Sequence, residues 1–338
     1  MRNLFYFIAI ALLCAAGTVS CNSQKAPANK KEVMDRFVAG TLDPSYVPAA
    51  FFIHFGSNQK TGDAAVQAHL EHLRNSDMDI MKVQFEQSMP RIRNLDAQET
   101  WDAIGPVKTD FYRPTLEIIK KLQEAVGSEV YVLPTLYSPY QVARQSLTEP
   151  EIAKAAVERP EDLKRVLGYY ADALVWLVKE CKAAGIEGFY MCTQGGEAKF
   201  EEIPGWFTEI IRPNDLKVMN ECVKDTKVNI LHICDWEGPY NDLTRYADYP
   251  GQIVNTPIYI AGKPFSLQDG VKLFNRPVLG GLDRKKEIVH SSVEELTATV
   301  DAVLKAAPAG KTMLGAECTV GGASPENIRA AVATAHHR

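Results

Sequence analysis

Short apolar runs that stop abruptly at polar residues recur along this chain. Between them, apolar residues return every three or four positions. The runs predict strands and the longer pattern predicts helices. AFFIHF (50–55) leads into the helical stretch GDAAVQAHLEHLRNS. DIMKVQF (79–85) is the next strand, and after an irregular segment PTLEIIKKLQEAVG has helical spacing. EVYVLPTLYSP then reads as a strand, and EDLKRVLGYYADALVWLVKECKAAG as a long helix stopping at Gly185, a residue type that readily closes a helix. GFYMCTQGG, VNILHICD, QIVNTPIY, PVLGGLDR and KTMLGAECTV continue the strands. The helices among them are PNDLKVMNECVKDTK, the short NDLTRYAD, SLQDGVKLFN, SVEELTATVDAVLKAA and the closing SPENIRAAVATAHH. SVEELTATVDAVLKAA opens on Ser-x-x-Glu, a capping box whose two side chains satisfy free N–H groups of the first turn.

Counted from residue 50, the strands number about eight, each followed by a helix or helical insertion. Eight such units over ~290 residues predict an α/β chain built as a single closed (β/α)8 TIM barrel. A doubly wound open sheet is the alternative, but the first strand carries no G-x-G-x-x-G turn and no P-loop motif occurs.

The barrel is assigned to residues 45–338. Residues 1–20 have a basic start (MRN), an apolar core too short for a comfortable membrane span, and small residues before Cys21. This is the pattern of an export signal. It resembles a bacterial lipoprotein signal, which implies lipidation at Cys21; cleavage nearby with a free Cys21 thiol is the alternative. Residues 21–44 read as a polar tether and lead-in. The expectation is an exported lipoprotein, periplasmic or outer-membrane-anchored, that meets the membrane only through its lipid. No later stretch is long and apolar enough to span a bilayer.

The formal net charge of -5 and the absence of a basic stripe argue against nucleic acid as a partner. Of the seven cysteines, Cys181, Cys192, Cys222, Cys234 and Cys318 remain once Cys14 and Cys21 are set aside. An odd number at wide spacing is not a disulfide framework.

Barrels of this kind place their chemistry at the C-terminal strand ends. Read in order, those ends carry His54; Lys82 and Glu86; Tyr137 and Tyr140; Cys192, Gln194 and Glu197; His232, Cys234 and Asp235; Asn255 and Tyr259; Asp283 and Arg284; and Glu317 and Cys318. His232 and Cys234 are two apart on one strand, so they share a face. Cys318 ends the last strand and opens onto the same mouth. One imidazole nitrogen and two sulfurs suit Zn2+ and leave a fourth position free. Ordinary core packing, or a Cys234–Cys318 disulfide, accounts for the same residues. Glu197 and Glu317 are candidate catalytic acids or bases. His54, Lys82, Tyr137, Gln194 and Asp283 are candidate substrate contacts, with Lys82 equally suited to pairing with Glu86 or Asp79. Cys192 reads as packing. His69 and His72 read as a solvated helix face, and His336 and His337 as inert terminal residues.

Four stretches, DIMKVQF, ADYPGQIVNTP, RPVLGGLDRKKEIVHSSVEEL and GKTMLGAECTVGGASPENIRAAVATAHH, together resemble the uroporphyrinogen decarboxylase superfamily over most of residues 45–338. That resemblance implies a (β/α)8 barrel and two possible chemistries. The decarboxylases act on a tetrapyrrole without a cofactor and carry an N-terminal Arg-Gln-Ala-Gly-Arg loop. Here the corresponding AFFIHFGSNQKTGD has no arginine. The corrinoid:thiol methyltransferases, such as methylcobamide:coenzyme M methyltransferase, bind zinc through His-x-Cys and a distant Cys. His232, Cys234 and Cys318 stand in that pattern, with 83 residues between the cysteines. The resemblance therefore implies a zinc-dependent, thiol-activating methyltransferase-like enzyme whose partner is a thiol, a methylated corrinoid or a tetrapyrrole. A cofactor-free lyase and a non-catalytic, lipid-anchored tetrapyrrole- or corrinoid-binding protein are the alternatives.

Overall fold

The computed structural model describes residues 29–337. The export signal and Cys21 lie outside the described residues, as does most of the polar part of the tether. Within the segment assigned as tether and lead-in, helix α1 (Lys30–Val38) buries Val33, Met34 and Phe37, and the Asn29 side chain caps its N-terminus. These apolar residues are spaced three and four apart, so this part of the lead-in belongs to the packed body.

The main sheet has seven parallel strands in the order β1-β2-β3-β4-β5-β8-β9. They are β1 (Ile80–Val83), β2 (Tyr131–Leu136), β3 (Tyr190–Thr193), β4 (Ile230–Ile233), β5 (Ile253–Asn255), β8 (Val278–Leu282) and β9 (Thr312–Ala316), with a small antiparallel hairpin, β6 (Tyr259–Ile260) and β7 (Lys263–Pro264), between β5 and β8. All but one of the main-sheet residues are buried, as expected when both faces of a parallel sheet are covered.

The sheet is curled like a barrel but is not a closed eight-stranded one, which corrects the sequence expectation. The predicted first strand, AFFIHF, forms no ladder. Its segment makes isolated parallel bridges at Ala49–Leu314 and Ile53–Val320. On its other side, beside β1, the Asp79 N–H donates to the Ala49 carbonyl, and no ladder with β1 forms among the described residues. The Asp79 carboxylate is bonded by the Ala49 N–H and the Tyr46 hydroxyl, so side-chain contacts do part of the joining that a ladder would do.

Helices cover the sheet: α2 (Gly62–Ser76), α3 (Gln98–Ala103), α4 (Arg113–Val126), α5 (Pro139–Leu147), α6 (Glu149–Glu158), α7 (Pro160–Ala183), α8 (Arg212–Val223), α9 (Leu267–Phe274), α10 (Glu287–His290), α11 (Val293–Ala306) and α12 (Pro325–His336). The Ser292–Glu295 capping box forms as read from the sequence. NDLTRYAD shrinks to a single 3-10 turn at Thr244–Tyr246.

Three histidines differ from expectation. His69 is buried because its face of α2 packs on β1; its Nδ1 bonds the Ala65 carbonyl (2.7 Å) and its Nε2 accepts the Gln84 N–H (3.0 Å). His72 Nε2 bonds the Phe51 carbonyl at 2.8 Å. His336 bonds Asp79 at 2.8 Å and stacks on Tyr46, tying the last helix to the start of β1. No described helix is long and apolar enough to cross a membrane.

Candidate metal centre

β4 ends on ILHI, with His232 facing inward and Cys234 one step past the strand; β9 ends before Glu317 and Cys318. β5 and β8 separate these two strands in the sheet, and the curl brings their ends together. A ring nitrogen of His232 and the sulfurs of Cys234 and Cys318 all lie within 4.8 Å of one another, and all three residues are buried. His232 Nε2 lies 3.5 Å from Cys318 Sγ. The Tyr190 ring stacks on the imidazole at 5.2 Å, and the Tyr190 hydroxyl is held by Asn255 at 2.7 Å, which fixes the plane of the histidine.

Every described cysteine is free, so the disulfide alternative is not what the structure contains. Cys234 and Cys318 share a hydrogen bond. It holds the Cys318 thiol well below its ordinary pKa, with His232 and Lys82 acting in the same direction, while that bond and burial push Cys234 up. The set fits a zinc ion: a borderline nitrogen, two sulfurs, mutual distances compatible with one tetrahedron, and an open side.

That open side is a cavity of about 220 Å³. Its walls include His54, Lys82, Tyr137 and Gln194, so four of the five predicted substrate contacts do line it together with the three metal-ligand candidates. Lys82 is buried and pairs with neither acid proposed for it. Its Nζ donates to Gln84 Oε1 (2.9 Å) and Thr319 Oγ1 (3.3 Å) and lies over the Tyr190 ring (4.7 Å). Burial lowers its pKa, and the neighbouring thiols work against that shift. The Gln194 side chain is 1% exposed with its Oε1 unpartnered, an acceptor left over for a ligand. Burial raises the Tyr137 hydroxyl well above its ordinary value. His54 stands at the rim, half exposed and paired with Glu86 at 2.9 Å.

Three candidates fall elsewhere. Asp283 lines a separate cavity of about 470 Å³ and pairs with Lys286 at 3.1 Å, because the turn after β8 folds its carboxylate onto its own loop. Glu317 is turned aside: its carboxylate accepts from the backbone N–H and from Nη1 of Arg284, both at 2.8 Å. Glu197 accepts the Gly195 N–H at 2.6 Å and is buried among Tyr140, Tyr240 and Tyr246. Burial raises both glutamates to about 7, in Glu317 even against the nearby Arg284. Neither lines the cavity of the metal-ligand candidates, so the structure gives no support to their catalytic assignment.

Sequence reasoning missed Gln141, Arg144 and Gln145 on α5, Trp236 and Thr319; Cys192, placed at the strand-end rim but read as packing, also lines the cavity. The α5 residues had a usable signal: Ser138-x-x-Gln141 is a capping box that announces the helix. Asp235 and Glu237, which had no assigned partner, pair with Arg284 and Arg144.

Solved structures share this architecture. A methyltransferase from Methanosarcina mazei superposes with a TM-score of 0.72 at 15% identity, covering 91% of this chain and 98% of its own. A B12-independent methionine synthase from a Shewanella species, solved with selenomethionine, gives a TM-score of 0.52 at 14% identity over 86% and 96% of the two chains. At these identities the likeness is one of fold. No curated protein matches the chain. The family description that does match, uroporphyrinogen decarboxylase (URO-D), spans residues 67–338 and so takes in the strand ends bearing His232, Cys234 and Cys318. A match over most of the sequence, on a fold shared with these enzymes, makes this chain a member of the uroporphyrinogen decarboxylase family.

Proposed function

We propose that the protein is a zinc-dependent, thiol-activating methyltransferase-like enzyme of this family. The observation that carries the reading is the convergence of His232, Cys234 and Cys318 in the wall of a small cavity. Zinc held by these residues supplies a Lewis acid that lowers the pKa of a bound substrate thiol.

The chain's own groups do the rest. Lys82 places a buried ammonium beside the three thiols of the cavity and offsets negative charge gathering there. Tyr190 and Asn255 keep the His232 ring in one plane. Gln194 offers a free acceptor to orient the ligand. In the transfer, the substrate sulfur gives an electron pair to the methyl carbon and the S–C bond forms. The donor leaves with the electrons of its former bond to that carbon, and the thiol proton passes to solvent at the cavity mouth. A methylated corrinoid is the donor class this reading favours.

The cavity bears on the alternatives. At about 220 Å³ it is smaller than the roughly 300–1,000 Å³ of pockets that enclose drug-sized ligands. It therefore suits a small thiol better than an enclosed tetrapyrrole. Of its basic side chains, His54 and Arg144 are paired with Glu86 and Glu237, and Lys82 has no carboxylate partner among the described residues. A polycarboxylate held by one ammonium would keep buried charges uncompensated.

Metal analysis of the reduced protein is the direct test. About one equivalent of zinc is expected, falling to background in Cys234→Ser. A metal-free wild type, or a zinc content indifferent to Cys234→Ser, would sink the reading. Methyl transfer from a methylated corrinoid to small thiols then tests the reaction. Export and lipid anchoring at Cys21 belong to the same proposal on the sequence alone; fatty-acid labelling lost in Cys21→Ala is the expected result.

A further inference from the structure

Resting on this metal-site reading, we propose that Arg284 is a positioning residue that clasps the two cysteine-bearing strand ends together and so sets the geometry of the donor set. Arg284 follows β8. Its Nη1 donates to Asp235 Oδ1 at 2.9 Å and to Glu317 Oε1 at 2.8 Å, while its backbone N–H donates to Glu317 Oε2 at 2.8 Å. Asp235 is the residue after Cys234, and Glu317 is the residue before Cys318. The guanidinium thus joins the immediate neighbours of both ligand sulfurs.

The sheet does not make this connection. β4 and β9 are separated by β5 and β8, so no ladder bond runs between them, and the sheet relates them only through two intermediate strands and three successive pairings. Strand ends are also where ladder bonds stop: the Ala316–Leu282 pair is the last between β9 and β8, and the His232–Asn255 pair is the last between β4 and β5. Cys234 and Cys318 lie two residues beyond these pairs. The Arg284 side chain is 8% exposed and that of Glu317 4%, so the contact is weakly screened. The guanidinium also lies 5.9 Å from the Trp236 ring, a wall of the cavity. Both side-chain bonds leave one nitrogen, Nη1, whose two N–H groups are fixed in the guanidinium plane; a lysine ammonium provides the charge without that fixed plane.

The test uses the full chain under reducing conditions, titrated with zinc against a chromophoric chelator and separately loaded with cobalt(II) as a spectroscopic probe. Arg284→Gln and Arg284→Lys are expected to bind zinc about 10–100-fold more weakly, the range seen when groups that orient metal ligands are removed. Their thiolate-to-cobalt absorption is expected to shift, a readout that a loss of global stability alone does not move. Glu317→Gln combined with Arg284→Gln should cost less than the sum of the two, since both break the same contact. Should Arg284→Gln fail to fold, the charge-retaining Arg284→Lys carries the comparison. Zinc affinity within about twofold of wild type in the folded Arg284 variants, with an unchanged cobalt spectrum, overturns the clasp but leaves the metal site standing. A wild type that binds neither metal overturns both.

Discussion

Two groups of buried and partly buried acids flank the barrel mouth, and they have solved the same electrostatic problem differently. Asp235 and Glu317 face one guanidinium, Arg284. Glu197 and Asp215 have no such partner. Asp215 accepts from the Thr193 hydroxyl at 2.6 Å and the Tyr249 hydroxyl at 3.3 Å, and Glu197 accepts one N–H from Gly195. Glu197 Oε1 and the hydroxyls of Tyr140 and Tyr246 are buried without partners. Burial raises Glu197 to about 7 and Asp215 to about 8, so the second group tolerates its surroundings by holding protons near neutral pH. The first sits beside the metal donors around one guanidinium, although burial raises Glu317 to about 7 as well; the second is a packed block with no cation bonded to its carboxyls among the described residues. A raised carboxyl pKa near a barrel mouth is therefore not a sign of a catalytic acid in this molecule. Neither group lines the cavity of the donor set; what separates them is a bonded guanidinium and the chain adjacency of Asp235 to Cys234 and of Glu317 to Cys318.

The sharpest way to break this contrast is at the donors. Cys318→Ser or His232→Ala should weaken zinc binding on the order of 10³-fold, since one of three protein ligands is lost. The same chelator titration measures it. Conservative changes in the tyrosine-lined block, such as Glu197→Gln, should leave zinc affinity unchanged. A zinc affinity that falls equally in both would show that the two regions form a single site.

Next in size is a stability effect confined to the block. Asp215 has a folded pKa raised to about 8 from 3.8, so its favourable contribution is complete below pH ~4 and is lost as pH rises through about 8. Asp215→Asn mimics the protonated acid. Its advantage in unfolding free energy over wild type should grow steadily between pH 6.5 and about 8 and level off by pH 9 at on the order of a few kcal/mol. Comparing the two proteins above pH 6.5 avoids His69, whose burial lowers its pKa to about 4. Parallel stability–pH curves for the two proteins would mean that Asp215 is ionised in the fold.

Much of this was legible in the sequence, for reasons that particular residues make plain. GDAAVQAHLEHLRNS became α2 residue for residue, because its apolar positions repeat at helical spacing and bury Val66, His69, Leu70 and Leu73. The donor set was legible because position two apart on a strand fixes a shared face, and His232 and Cys234 need nothing else to be placed together. AFFIHF was misjudged because an apolar run specifies burial and not a ladder: Phe51 and Phe52 are core residues, while pairing is limited to isolated bridges. The roles of Glu317 and Glu197 depended on side-chain direction after the strand ends. There Arg284, 33 residues before Glu317, and the tyrosines around Glu197 decide, and no local pattern announces such partners.

A smaller effect tests how tightly the block is packed. A Cβ on Gly196 would sit 2.2 Å from the Tyr246 hydroxyl. Gly196→Ala should then cost about 1–3 kcal/mol through overpacking, read as a lower denaturant midpoint. Zinc affinity should stay the same.

The smallest effect is expected at the solvent edge of the cavity. His54 pairs with Glu86 at 2.9 Å, but the His54 side chain is 52% exposed and Lys60 also reaches Glu86 at 2.9 Å. Water screens the pair and the Lys60 ammonium remains on Glu86 when the histidine is removed, so His54→Gln should change stability by less than about 1 kcal/mol. If His54 nevertheless contacts substrate, the Michaelis constant should rise while zinc content and thermal midpoint hold. A thermal midpoint falling as far as that of Gly196→Ala would instead make the rim a structural element, and the division between an arginine-bonded side and a packed one without such a cation would have to be redrawn around Glu86.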